Sequence, residues 1–245
     1  VIERQFGFPV TAIRTSRIAS SDLSRYQVMI LPEGSGYADV LGERGTENLR
    51  EWVSKGGVLI GVGSANRFLA DPEVDLLAIR RENAVIEERE TESEEEESAS
   101  TVAGSYIEEE SQYLDLIIPE KDDPDSVAGV LVSAEVDPDH WLGAGVAPTI
   151  NVLVRGSDVY TPLTIDKGVN VALFKDRDNL LASGYIWEEN RKQLAYKPFV
   201  VAQQNGRGYV IGFTQDPNVR AYLDGLNVIF MNAIFRGSAH ARPLR

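Results

Sequence analysis

Short apolar runs, separated by glycine, proline and acidic clusters, dominate the hydrophobic pattern of this chain. Val10-Thr-Ala-Ile13 and Val28-Met-Ile-Leu31 have the length and composition of buried strands. The second run enters Pro32-Glu-Gly-Ser-Gly36, a loop built from turn residues. The spacing then predicts a helix over Thr46–Lys55, with Leu49, Trp52 and Val53 on one face. Gly56-Gly57 stops it, because glycine accepts the left-handed conformation of a helix C-cap. Val58-Leu-Ile-Gly-Val62 follows as a strand, and Ala65–Leu69 begins a further helix. Strand, helix and strand joined this tightly form a βαβ unit, which implies parallel pairing through a right-handed crossover.

Past the middle of the chain the pattern becomes strand-rich. Val127–Val132, Val152–Val154, Val171–Phe174 and Phe199–Ala202 read as strands. Gly206-Arg-Gly208 is a hairpin turn into the core strand Tyr209–Phe213. Asp216-Pro217 is expected to open a long helix, with Val219, Tyr222, Leu223, Leu226, Phe230, Ala233 and Ile234 as its core stripe. Between the two halves the acidic residues Glu87, Glu88, Glu90, Glu92, Glu94 to Glu97 and Glu108 to Glu110 crowd together. Like charges at this density repel, so residues 84–126 read as a solvated insertion into one domain spanning 1–245.

Composition narrows the chemistry. The 245 residues carry a formal net charge of -14. That balance opposes nucleic acid and anionic membrane surfaces, which select lysine and arginine. No apolar run has the length of a membrane-spanning helix, and no signal segment is evident. The first residue is Val1, which suggests a trimmed or processed piece. Cysteine is absent, so thiolate metal sites and cysteine nucleophiles are absent too. His140 and His240 are the only histidines, too few for a histidine-rich zinc site. Asp122, Asp123, Asp125, Asp137 and Asp139 supply oxygens but lack the spacing of a calcium loop.

The stretch Gly57-Val-Leu-Ile-Gly-Val-Gly-Ser-Ala-Asn66 resembles the strand, turn and helix that present the nucleophilic cysteine of class I glutamine amidotransferases. Ser64 stands near the apex here. The family's histidine follows a late strand, and Phe213-Thr-Gln-Asp-Pro217 occupies that place with no histidine. Neither Thr214 nor Gln215 can act as a general base near neutral pH. The resemblance therefore implies a flavodoxin-like, class I glutamine amidotransferase-like three-layer α/β fold without its original catalytic pair. A mostly parallel sheet is expected, with a β-rich decoration over residues 127–203.

A wider set of segments adds to this. They are Asp137-Pro-Asp-His-Trp-Leu142, Val159-Tyr-Thr-Pro-Leu163, Ser183-Gly-Tyr-Ile-Trp-Glu-Glu-Asn-Arg191, residues 206–217 and Arg220-Ala-Tyr-Leu-Asp-Gly-Leu-Asn227, running on to Asn232-Ala233. The set resembles the C-terminal region of bacterial zinc carboxypeptidases of the carboxypeptidase A type. The peptidase His-x-x-Glu zinc motif is missing, since Gly143 lies three residues after His140. The resemblance implies an accessory domain that is not itself an enzyme. Zinc and proteolysis would belong to a peptidase domain elsewhere in an exported or periplasmic parent.

The ends of the predicted strands place Glu33, Ser64, Asn66, Gln215, Asp216 and Arg220 as a vestigial polar pocket. No cofactor or metal is expected there. Domain packing against the peptidase domain, homodimerisation or substrate positioning is the leading expectation. A small-ligand or peptide-binding crevice is the second. The third is a hydrolase using Ser64, with His140 as its only available base. Without such a base, Ser64 is expected to cap the following helix. Glu188, Glu189, Asp216 and Asp224 are expected partners for Arg191 and Arg220.

Overall fold

The computed structural model describes residues 2–85, 123–221 and 223–242. In chain order, helix α1 (Ile2–Phe6) is followed by β1 (Val28–Leu31), helix α2 (Tyr37–Ser54), β2 (Val58–Val62) and helix α3 (Ala65–Leu69). Strands β3 (Val127–Val136), β4 (Thr149–Gly156), β5 (Val169–Phe174) and β6 (Leu181–Ser183) come next. Helix α4 (Glu188–Leu194), β7 (Pro198–Asn205), β8 (Gly208–Phe213) and helix α5 (Asp224–His240) complete the described chain.

All eight strands join one mixed sheet in the order β1-β2-β8-β7-β5-β3-β4, with β6 paired to β3. The pairs β1–β2 and β2–β8 are parallel, and every other pairing is antiparallel. The expectation of a mostly parallel sheet is thus corrected. A parallel neighbour needs a crossover of a dozen or more residues, usually a helix. Helix and strand alternate in that way only around β1 and β2. By contrast β7 and β8 are a hairpin closed at Asn205 and Gly208. The β-rich region is therefore continuous with the parallel strands and forms the larger part of the same sheet.

Two apolar layers sandwich this sheet. Val58, Ile60 and Val62 of β2 face a core shared with Val152, Val154, Leu226, Ile229 and Phe230. Leu59 faces the other core, with Leu49, Trp52, Val53, Phe68 and Leu69 of α2 and α3. Every residue of β2 is buried, as a central parallel strand covered on both faces requires. Helix α5 packs against β1, β2, β8 and β4 together. Since β4 ends the sheet opposite β1, the sheet must coil strongly to bring them to one helix.

Helix ends explain where the pattern succeeded and where it misled. α2 stops in a Schellman arrangement, in which the Gly57 N–H donates to the Trp52 carbonyl (3.0 Å) and the Gly56 N–H to the Val53 carbonyl (2.9 Å). Its start lies earlier than expected, and a break at Gly42 (φ 58, ψ -174) joins two helical pieces that the periodicity did not connect. The last helix begins at Asp224, later than the expected Asp216-Pro217. The Asp216 carboxylate instead accepts the Asn218 N–H (2.8 Å), and Arg220 takes a left-handed φ of 51. Both divert the backbone from a helical path.

Val10–Ile13 forms no strand, and Val10 is 48% exposed. Its composition suits a sheet, but a strand also needs backbone partners, and none reaches it among the described residues. Most of the acidic insertion, 86–122, lies outside the described residues, as does Asp122. Its two flanks converge on α4. Gln193 Nε2 donates to the Asn83 carbonyl (2.7 Å), and Asn190 Nδ2 donates to the Asp125 carbonyl (2.8 Å). No described helix is long and apolar enough to cross a membrane.

Candidate functional site

The carboxyl ends of the three parallel strands lie side by side, and each releases a short polar loop. β1 gives Pro32-Glu33-Gly34, β2 gives Gly63-Ser64, and β8 gives Thr214-Gln215-Asp216. Gly63 needs its positive φ of 55 to turn the chain here, and a β-carbon on it would meet the Glu33 stem at 3.3 Å. These strand ends bring Glu33, Ser64, Asn66 and Gln215 near one another.

These side chains are spent on holding the loops. Ser64 Oγ donates to the Gly34 carbonyl and accepts the Gly34 N–H, both at 3.1 Å. It makes no capping bond to α3, which corrects the expected helix cap. The Tyr37 hydroxyl donates to the Pro32 carbonyl (2.8 Å), and burial pushes its pKa up. Glu33 pairs with Arg155 at 3.6 Å across a half-exposed gap. The Arg155 N–H donates to Gln215 Oε1 (3.0 Å). Thr214 Oγ1 donates to the Pro198 carbonyl (2.8 Å).

Asn66 is fully buried at the centre. Its Nδ2 donates to the Gly63 carbonyl (3.0 Å) and the Phe213 carbonyl (2.7 Å), bridging the ends of β2 and β8. Its Oδ1 has no partner among the described residues. That oxygen lies over two glycines, and β-carbons at Gly61 and Gly212 would meet it at 2.7 Å and 3.0 Å. Asp216 closes its own turn and Arg220 is exposed, with no hydrogen bond or ion pair among the described residues. Neither joins the cluster. Arg191 does pair with Glu188, at 3.8 Å.

His140 stands at the other end of the parallel strands. The neighbouring Trp141 packs edge-on against Tyr209 at the start of β8 (5.9 Å) and stacks on His240 (4.6 Å). Tyr209 pairs with Val58, the first residue of β2, whereas Ser64 follows its last. About 15 Å of strand therefore separates the hydroxyl from the imidazole. His140 Nδ1 accepts the Leu142 N–H (3.2 Å), and burial holds its pKa below the ordinary value. Asp137 acts in the opposite direction and His240 adds to the lowering.

The local pattern gave no sign of two further contributors. Arg155 is the penultimate residue of β4, the far edge of the sheet in strand order, and reaches Glu33 and Gln215 because the sheet coils. Asp158 accepts Arg67 Nε (3.0 and 2.8 Å) and Arg81 Nε (2.8 Å), and Arg81 continues to Asp123 (2.7 Å). Tyr160 lies beside them, its phenol pKa raised by burial and by Asp158, with no partner for its hydroxyl among the described residues. Among the described residues no three His, Cys, Asp or Glu side chains gather as a metal site would need. Cavities of 610 Å³ along β1 and 400 Å³ beside Trp52 are lined by neither Ser64, Asn66 nor Gln215.

Comparison with known proteins places the fold. No family model matches the chain, and no curated protein matches it. Solved structures do. A ThuA-like protein from Bacteroides uniformis is 12% identical with a TM-score of 0.53, over 97% of this chain and 79% of its own. A ThuA-like protein from Parabacteroides merdae is 13% identical with a TM-score of 0.53, over 97% and 78%. A cytoplasmic protein from Salmonella typhimurium is 13% identical with a TM-score of 0.51, over 94% and 82%. At such identities the likeness is one of fold alone: α/β with a mixed sheet, shared with ThuA-like proteins.

Proposed function

We propose that this chain is a non-catalytic accessory domain, which packs against or positions substrate for a catalytic partner domain. The observation that carries the reading is the two-way bond between Ser64 Oγ and the Gly34 backbone. A nucleophilic hydroxyl needs a base to take its proton. Here that proton is committed to a carbonyl that cannot accept it as a base would, and the nearby N–H that could hold an oxyanion points at the hydroxyl itself. Gln215 and Asn66 are engaged with backbone as well, so the crevice offers few free polar groups to a ligand.

The finer assignment, to a zinc carboxypeptidase-like parent, rests on the resemblance of residues 137–142, 159–163, 183–191, 206–217, 220–227 and 232–233. In that arrangement zinc and peptide hydrolysis belong to the partner domain. The test is hydrolysis of glutamine and of p-nitrophenyl acetate by the purified chain and by Ser64→Ala. The expected result is the solvent background for both proteins. A rate above background that Ser64→Ala abolishes would overturn the reading.

A further inference from the structure

Asp216 and Arg220 follow β8 yet take no part in the Ser64 cluster. The turn that carries Arg220 is closed at both ends onto the first turn of α5. Asn218 Nδ2 donates to Asn227 Oδ1 (2.8 Å), and the Leu226 and Asn227 N–H groups both donate to the Leu223 carbonyl (3.0 and 3.2 Å). Arg220 lies between Asn218 and Leu223 in the chain, so these closures tether it beside the start of the helix. It is exposed and has no hydrogen bond or ion pair among the described residues. α5 itself opens without a side-chain cap, since its N-cap residue is Leu223. The first N–H groups of a helix lack helical partners and together carry partial positive charge. Those of Asp224 and Gly225 have no partner among the described residues. A β-carbon at Gly225 would make an ordinary contact with Ile150 at 3.6 Å, so the glycine leaves room beside its own N–H.

Asn227 is the second, independent observation. It is 2% exposed, and its Nδ2 has no partner among the described residues. Side chains lean toward the N-terminus of their helix, and the Asn218 contact holds this amide between the turn and the start of α5. A buried donor without an acceptor is costly, and an accepting group removes that cost. We propose that the start of α5 binds a small carboxylate, held by the Asp224 and Gly225 N–H groups, Asn227 Nδ2 and the Arg220 guanidinium. All four are donors, and the helix start and Arg220 supply positive charge, so the ligand is an acceptor and an anion. Two carboxylates of the chain stand nearby. Asp216 is spent on the Asn218 N–H (2.8 Å), and Asp224 is exposed in the first turn. They, and a formal net charge of -14, repel a doubly charged anion more than a singly charged one. A carboxylate carries one charge, and its two oxygens match the guanidinium fork.

The probe is sodium acetate, added to the full chain at pH 7 with sodium chloride holding the ionic strength constant. Amide NMR follows the Asp224 and Gly225 N–H groups, the Asn227 side-chain NH2 and the Arg220 Nε–H. The expected result is a saturable shift at all four, with inorganic phosphate binding at least ~3-fold more weakly at the same ionic strength. Arg220→Gln, at an exposed position, should weaken acetate binding at least ~5-fold while the rest of the spectrum stays as it was. Shifts that chloride alone reproduces, or that Arg220→Gln leaves equal, overturn the proposal. So does acetate saturation without a response at the Asn227 amide. Phosphate binding as tightly as acetate overturns the choice of a carboxylate. The site makes no use of Ser64, so none of these outcomes bears on Ser64-dependent hydrolysis, and the accessory reading stands or falls separately.

Discussion

Asn66 and His140 are the two residues whose environments make the sharpest demands on a substitution. Asn66→Ala removes two donors from buried carbonyls and leaves a small void, at a cost of about 1–3 kcal/mol. For a chain of this size that is a fall in Tm of several degrees, with each kcal/mol worth roughly 2–4 °C. Asn66→Asp should be worse at neutral pH, because a carboxylate oxygen then faces the Gly63 and Phe213 carbonyls without a proton to share. Thermal melts of both variants at pH 7 test this ranking, and equal losses would show that the Nδ2 bridge contributes little. His140 supplies a pH signature. Its folded pKa is lowered by burial, so the unfolded chain binds the proton first as pH falls below about 6.5, and stability declines from there toward the folded pKa. His140→Asn keeps an oxygen for the Leu142 N–H but cannot titrate. The Tm difference between the two proteins should change between pH 8 and pH 5, and a flat difference would remove His140 from the pH response.

At the scale of elements, α2 and β2 are joined by a turn that only glycine permits. A β-carbon at Gly57 would overlap the Trp52 indole, whose Nε1 is fixed by the Tyr26 carbonyl (3.0 Å). The ring cannot retreat without losing that bond. Gly57→Ala should therefore cost about 1–3 kcal/mol as overpacking, read as an earlier midpoint in urea. An unchanged midpoint would mean that Trp52 has room to move. This turn was legible in the sequence, as were β1, β2 and α3, because consecutive apolar residues between glycines permit few alternatives. α4 and β6 were not legible, since β6 is exposed throughout and α4 is only seven residues. Val10–Ile13 misled for the converse reason, since its composition suits a sheet but strand formation depends on a partner that composition does not encode. In the candidate site, Glu33, Ser64, Asn66 and Gln215 were legible because strand ends converge in any parallel sheet. Arg155 was not, because its arrival depends on coiling of the whole sheet.

Across the whole molecule, net charge and close ion pairs respond differently to salt. The chain carries a formal net charge of -14, most of it from the acidic run within residues 86–122, outside the described residues. Self-repulsion at that charge destabilises the compact state, and salt screens it. Raising sodium chloride from about 0.01 M to 0.15 M shortens the screening length from ~30 Å to ~8 Å. Repulsion spread over the molecule is lost on that scale, whereas the Asp158 contacts with Arg67 and Arg81 are near 2.8 Å and lose far less. The Asp158 side chain is also only 11% exposed, which protects those contacts further. The expected outcome is a Tm that rises with sodium chloride over this range. A falling Tm would mean that attractive pairs near the surface outweigh the net repulsion. If the Tm rises, Asp158→Asn should lower it by a similar amount at both salt concentrations, because the contact it removes is short and mostly shielded from solvent.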